Sequence, residues 1–324
     1  MVFHAALKML YHKSKFLQYL LLRHIWAERK KIVARESDHD FAARCYRERT
    51  GQELNQEDPQ TFDDKVWYLK LHNRDPLLTI CCDKYRAREY VEQCGLGHIL
   101  NELYGVYENA RDIDFSKIPS PCFLKCNHTS GDNIIFDRTK PFDKSDFVRR
   151  FNFMLKQNYY FYTREWNYKD VPSRIVAEKV LRDKDGKLPL DYKFMCFHGV
   201  PKIMYLSANT CSEQGTHSKG QRLNYYDMDF NKLPITGAGL KNLEEDVEKP
   251  DTFEEMKAYA AILSKPFPFC RVDFYSVDGQ VYFGEITFYP TGGCQNLQPP
   301  EWSLLLGSWI DLKGWKESAE AHFE

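Results

Sequence analysis

The pattern of apolar and polar positions changes character along the chain. The first 58 residues read as helical. Asp58-Pro59 then marks a turn before residues 61–71, where Asp63 and Asp64 suit the first turn of a helix because its unpaired N–H groups attract negative charge. A second helical run over residues 83–94 closes on Gly95-Leu96-Gly97, and residues 103–106 look extended. From Pro119 short strands take over. Cys122-Phe123-Leu124-Lys125 is an apolar strand that runs into a polar loop at residues 127–133 and on to Ile134-Ile135-Phe136.

Residues 174–178 form a buried strand that leads to a turn at residues 183–186. Residues 191–198 alternate with period two, with Tyr192, Phe194, Cys196 and His198 on one face and Lys193, Met195 and Phe197 on the other. Gly199 starts the turn into residues 202–206, which completes a hairpin. Residues 207–250 are polar and irregular, and Thr252 with Glu255 has capping-box spacing for a helix ending near Ser264. Residues 269–275 and 280–288 form a second hairpin around Asp278-Gly279, and a last helix lies around residues 304–312. The order predicts an α+β protein. Its segments are an N-terminal helical extension (1–58), an N-terminal lobe (59–118), a central unit (119–190) and a C-terminal unit (191–324).

Composition narrows the function. With 45 basic and 46 acidic side chains the net charge is −1, so no global field recruits nucleic acid. The ten cysteines form no CxxC pair in a chain too large to need staples, which fits reduced thiols and a cytoplasmic protein. Residues 16–26 are apolar and follow His12, Lys13 and Lys15 like a signal sequence, yet no small-residue cleavage site follows. The run is too short to span a bilayer and Arg23 interrupts it. Two readings of residues 1–33 stay open: an amphipathic helix on an acidic membrane surface, with Arg29, Lys30 and Lys31 toward the lipid, or a helix packed on the protein.

The candidate chemistry concentrates in the last hairpin. Antiparallel pairing can bring the carboxylates of Asp273 and Glu285 to one face, with Arg271 beside Asp273 and Thr287 beside Glu285. Paired hard oxygen ligands on rigid strands suit Mg2+ bridging the phosphates of a nucleotide. An adjacent arginine offers a fixed cation to a developing oxyanion. By itself the pattern fits equally a surface hairpin whose charges face water. Lys125 at a strand end, followed by a loop with Ser130 and Gly131, supplies a cation and exposed backbone N–H groups, although the same letters describe a tight turn with a solvated lysine.

The stretch from Arg271-Val272-Asp273 to Glu285-Ile286-Thr287 resembles the C-terminal signature of the TupA-like ATP-grasp family. The resemblance continues upstream through Phe62-Asp63-Asp64-Lys65, Asp83-Lys84, Lys125-Cys126-Asn127-His128-Thr129-Ser130-Gly131, residues 174–178 and Asp191-Tyr192-Lys193, in order over residues 60–312. It implies an ATP-grasp fold whose central and C-terminal subdomains, residues 119–190 and 191–324, clasp ATP between antiparallel sheets. It implies that Lys125, Ser130, Gly131 and Lys193 bind the phosphates. Glu178, Lys179 and Leu181 then lie where adenine and ribose are held, Asp273 and Glu285 bind Mg2+, and Arg271 is catalytic. Thr287 replaces the usual metal-binding asparagine and is a weaker ligand.

The activity implied is ATP-dependent carboxylate–amine ligation through an acyl phosphate, on a uronic acid of a cell-surface polysaccharide or its precursor. Two alternatives remain. A glycosyltransferase or phosphotransferase would use Asp227 and Asp229 of the DxD instead, and a nucleotide-binding module would turn nothing over. Cys196 and His198 have no second pair at zinc spacing, and His128 fits loop structure as well as phosphate contact.

Overall fold

A computed structural model describes residues 15–33, 35–130, 133–208, 210–212, 214–216 and 220–315. Helix α1 (Lys15–Val33) is followed by α2 (Asp38–Thr50), which Ser37 caps by accepting the Asp40 N–H. Helix α3 (Phe62–His72) begins with a full capping box between Thr61 and Asp64. Its neighbour Asp63 does something else: its carboxylate accepts the backbone N–H groups of Gln295 and Asn296 at 2.9 and 2.8 Å and so ties the helix start to a distant loop. A separate helix α4 (Pro76–Cys82), with Asp75 as cap, precedes the run expected over 83–94, which is helical only over α5 (Ala87–Gln93). The break falls at Asp83, whose carboxylate accepts the Tyr85 N–H locally and the Asn127 amide at 2.8 Å.

The first sheet contains β1 (Leu103–Tyr107), β2 (Cys122–Cys126), β3 (Asn133–Phe136) and β4 (Ile175–Lys179), antiparallel in the order β1-β4-β2-β3. One face carries Cys122, Leu124, Cys126, Ile175 and Ala177, packed with Phe147 and Phe151 of helix α6 (Lys144–Met154). Period-two alternation leaves Lys125 and Glu178 on the other face. A short helix α7 (Tyr160–Thr163) follows α6, and Arg164 behind it donates to Asp38 Oδ1 at 2.8 Å and to the carbonyls of Val33 and Glu36. Trp26 of α1 is buried against Tyr162, whereas Leu20 and Ile32 on the same helix are exposed. Among the described residues no helix is long and apolar enough to cross a membrane.

The second sheet holds β5 (Asp191–Phe197), β6 (Val200–Ala208), β7 (Arg222–Asp227), β8 (Lys232–Leu233), β9 (Phe269–Val277) and β10 (Gln280–Thr287), all antiparallel in the order β10-β9-β5-β6-β7-β8. Strands β7 and β8 lie in the segment expected to be irregular. Helix α8 (Phe253–Ser264) covers the face bearing Phe194 and Phe274, and Phe253 meets Phe194 at 5.7 Å between ring centres. Thr252 stands at its N-cap position but makes no capping bond; its hydroxyl bonds Ser276 instead, so the expected capping box is not formed. Helix α9 (Glu301–Ser308) packs on the start of α3, where Gly307 is required because a Cβ would stand 2.2 Å from the Gln60 carbonyl. The loop between β6 and β7 reaches the first sheet, with the Ile135 N–H bonded to the Gln214 carbonyl at 2.8 Å.

Candidate active site

The hairpin of β9 and β10 shows how the sequence turns its chemistry to one face. Asp278 and Gly279 both adopt left-handed backbone, the requirement of a two-residue hairpin turn. Regular pairing from that turn sets Phe283 opposite Phe274 and would set Glu285 opposite Val272, on the covered face. A bulge at Gly284 inserts one residue, so that Glu285 pairs with Asp273 and Thr287 with Arg271. A Cβ on residue 284 would come within 3.0 Å of the Asp273 carbonyl, so glycine is what the bulge admits. Alternation alone, as read from the sequence, omits this step.

Strand β5 places Lys193 directly beside Asp273 in the ladder. Its Nζ is 2.6 Å from Asp273 Oδ2 and 3.7 Å from Asp191 Oδ2. Arg271 clamps the same carboxylate with Nε on Oδ1 at 2.6 Å and an Nη on Oδ2 at 2.7 Å. The guanidinium also donates to Glu285 Oε1 at 2.9 Å, Thr287 Oγ1 at 3.0 Å and Tyr205 Oη at 2.8 Å. Arg271 is thus heavily engaged by its own neighbours, which hold its charge firmly and keep the guanidinium in place. Burial works against the Lys193 ammonium, but Asp191 and Asp273 more than compensate and the group stays charged.

Glu285 differs from Asp273. The Asp273 side chain is 2% exposed and doubly paired, while that of Glu285 is 38% exposed and its Oε2 has no partner among the described residues. Burial would raise its carboxyl, yet Lys84, Arg271 and Lys193, with the Thr287 hydroxyl, outweigh that and hold it down at about 2. Among the described residues no group of three or more His, Cys, Asp and Glu side chains converges on one point. The hard-oxygen set is therefore two carboxylates and a hydroxyl, which fits Mg2+, an ion that keeps several waters and phosphate oxygens in its shell.

On the first sheet, Lys125 Nζ lies 2.7 Å from Glu178 Oε2, with Arg88 3.9 Å from the other carboxylate oxygen. Glu178 is thus directed at Lys125. The Lys179 side chain is solvent-facing, its N–H donates to the Glu102 carbonyl and its own carbonyl accepts from Asn101, so its backbone groups are already paired. Leu181 follows β4, half-buried, outside either sheet. Ser130 is exposed at the end of the loop and pairs with Tyr159, while Gly131 lies outside the described residues.

Sequence reading missed Lys84. Its backbone N–H bonds the Asn127 carbonyl, its Nζ donates to the Thr129 carbonyl at 2.7 Å, and it is the largest charge opposing the burial of Glu285. It therefore links the Ser130 loop to the carboxylate face. The Asp83-Lys84 motif was its only signal. His128 is buried with Nε2–H donating to the Met154 carbonyl, and burial lowers it to about 4, which keeps it neutral and structural. Asp227 accepts the N–H groups of Asp229 and Asn231, so the DxD closes a turn. The Cys196 thiol is buried, and His198 accepts the Asp311 N–H.

Two antiparallel sheets, the first carrying the Lys125–Glu178 pair and the second Lys193, Asp273 and Glu285, with helices packed on them, form an ATP-grasp fold. The model of the TupA-like ATPgrasp family matches residues 64–311, most of the chain, and the chain belongs to that family. No curated protein matches it by sequence. Among solved structures it is similar to D-alanine–D-alanine ligase from Bacillus anthracis, at 18% identity over 75% of this chain and 71% of that one, with a TM-score of 0.45. It is also similar to L-amino acid ligase from Bacillus licheniformis, at 14% identity over 69% and 48%, TM-score 0.41. Phosphoribosylamine–glycine ligase from Thermotoga maritima matches at 12% identity over 67% and 52%, TM-score 0.41.

Proposed function

We propose that the protein joins a carboxylate to an amine at the expense of ATP, by way of an acyl phosphate. The observation that carries this reading is the Glu285 face. A partly open carboxylate, with one oxygen unpartnered, is ringed by Lys84, Arg271 and Lys193 and backed by Asp273. In this reading Lys84, Lys125 and Lys193 neutralise the triphosphate, together with the loop of Ser130 and Gly131. Glu178, Lys179 and Leu181 border the adenosine. Because the N–H and carbonyl of Lys179 are paired, the open backbone of Leu181 is the better partner for adenine. Asp273, Glu285 and Thr287 would hold Mg2+, which would offset the charge of the triphosphate.

The substrate carboxylate attacks the γ-phosphorus, ADP leaves, and the amine then displaces phosphate from the acyl carbon. Arg271 stabilises the negative oxygen of that second step from a fixed position. A uronic acid of a cell-surface polysaccharide or its precursor is the favoured carboxylate, and an amino acid or amino sugar the favoured amine. The ten free cysteines suit a reducing, cytoplasmic setting. The test incubates the protein with Mg-ATP and pools of uronic acids, amino acids and amino sugars, followed by mass spectrometry. An amide formed with one ADP and one phosphate is the expected result. ADP with a phosphorylated product would mean a phosphotransferase, and no turnover a binding module.

A further inference from the structure

Beside the Glu285 face several buried polar side chains have unmet hydrogen-bonding capacity. Trp67 Nε1, Asn167 Oδ1 and Tyr289 Oη have no partner among the described residues, although all three side chains are almost wholly buried. Native proteins rarely leave such atoms unpaired, and several together mark a place for another molecule's polar groups. Asn167 and Tyr289 both lie by Cys82, whose thiol donates to the Asn167 carbonyl at 3.3 Å, and Trp67 adjoins the loop after Tyr289. Lys70 Nζ donates to the Gly292 carbonyl at 2.9 Å and lies 3.7 Å from the centre of the Trp67 ring. A Cβ on Gly293 would meet Trp67 Nε1 at 3.0 Å, and Tyr289 stands at the start of the same loop.

Glu165 precedes Asn167 by two residues, is 6% exposed, and has no part in holding ATP in the reading above. Lys70 supplies its main opposing charge, but the two make no direct ion pair, so the carboxylate is not locked. Its one side-chain hydrogen bond is to Thr163. The other charged groups it faces are Arg49 on α2 and Glu285 on β10, and the titratable hydroxyls are those of Tyr159, Tyr168 and Tyr289. The set is thus rich in acceptors, a carboxylate and an unpaired amide oxygen, next to the carboxylate face of the nucleotide site.

We propose that Glu165 takes the proton from the acceptor's ammonium group, with Asn167 and Tyr289 accepting its remaining N–H groups; this rests on the ligase reading. An ammonium has no lone pair and cannot attack. Glu165 removes one proton, the freed lone pair forms the C–N bond at the acyl carbon, and the C–O bond to phosphate breaks with its electron pair leaving on phosphate. The second nitrogen proton departs with that phosphate. Burial, only partly offset by Lys70, raises the Glu165 carboxyl to about 7, which suits a base working near neutrality.

The test compares wild type with Glu165→Gln in Mg-ATP and the uronic acid pool, using either the amino acid pool or hydroxylamine as the amine. Hydroxylamine is uncharged at neutral pH and needs no base. The expected result is hydroxamate formed at similar rates by both proteins, while amide formation by the variant falls on the order of 100-fold at pH 7. The wild-type amide rate rises through about pH 7; the variant lacks that step and recovers as pH approaches the amine's own pKa. Equal loss of hydroxamate and amide, or no loss of either, overturns the role of Glu165 and leaves the ligase reading standing. No hydroxamate from wild type overturns the ligase reading, and this inference with it.

Discussion

Arg271, Asp273 and Glu285 share one face yet do different physical jobs. Asp273 is buried between two cations, so most of its charge is answered inside the protein, whereas Glu285 keeps an open oxygen. Removing Arg271 therefore leaves Asp273 short of a partner, and the loss of one member of a buried pair costs about 3–5 kcal/mol. Arg271→Met should lower the free energy of urea unfolding by that amount. Glu285→Gln keeps the shape but gives up the attraction of Lys84, Arg271 and Lys193 for the carboxylate, so it should lower the free energy of unfolding by less than Arg271→Met does, while Mg-ATP turnover falls on the order of 100-fold, as for loss of one electrostatic contact in an active site. Measuring both quantities on both variants separates the roles. A Glu285→Gln protein that turns over Mg-ATP normally would refute the site.

The hairpin is where element geometry decides function. Moving β10 by one residue would send Glu285 toward α8 and Gly284 toward Asp273. Gly284→Val puts a branched side chain against the Asp273 carbonyl, so the bulge must shift or dissolve. We expect Mg-ATP turnover to fall at least as far as in Glu285→Gln while far-UV circular dichroism stays close to wild type. Unchanged turnover would show that the bulge does not set the site. The strands on either side of the Asp278-Gly279 turn, and the turn itself, were legible because each has a short-range signal, either period-two alternation or a turn dipeptide. The bulge was not, since a glycine in a strand is compatible with regular pairing. Strand β7 was hidden by polar letters, although its four central residues are buried. Lys84 and the pairing of Asp63 with Gln295 and Asn296 depend on contacts between segments far apart in sequence, about which local pattern is silent.

At the scale of the whole molecule, the proposed site draws its residues from two sheets. Lys125 and Glu178 belong to the first sheet and Lys193, Asp273 and Glu285 to the second. Asp83, Lys84 and Asn127 bind the Ser130 loop to the helical lobe, and Ile135 meets the loop between β6 and β7. A triphosphate bound by both sheets would add contacts to each at once and bring negative charge to Lys125 and Lys193, which now pair with Glu178 and Asp273. Binding only the folded state, Mg-ATP at 100 times its dissociation constant should stabilise the protein by about 2.7 kcal/mol, seen as a rise in melting temperature. Hydrogen exchange gives the sharper reading. Amides of β2 and β4 and of β9 and β10 should slow together on adding Mg-ATP, with the loop before Ser130 slowing most, because loops are the parts that open at least cost in the free protein. Chelating the metal should release β9 and β10 more than β2 and β4, since the carboxylates proposed to hold it, Asp273 and Glu285, both lie on the second sheet. Protection confined to one sheet would mean that the nucleotide does not bridge them, and the assignment of Lys125 and Glu178 to its site would fail.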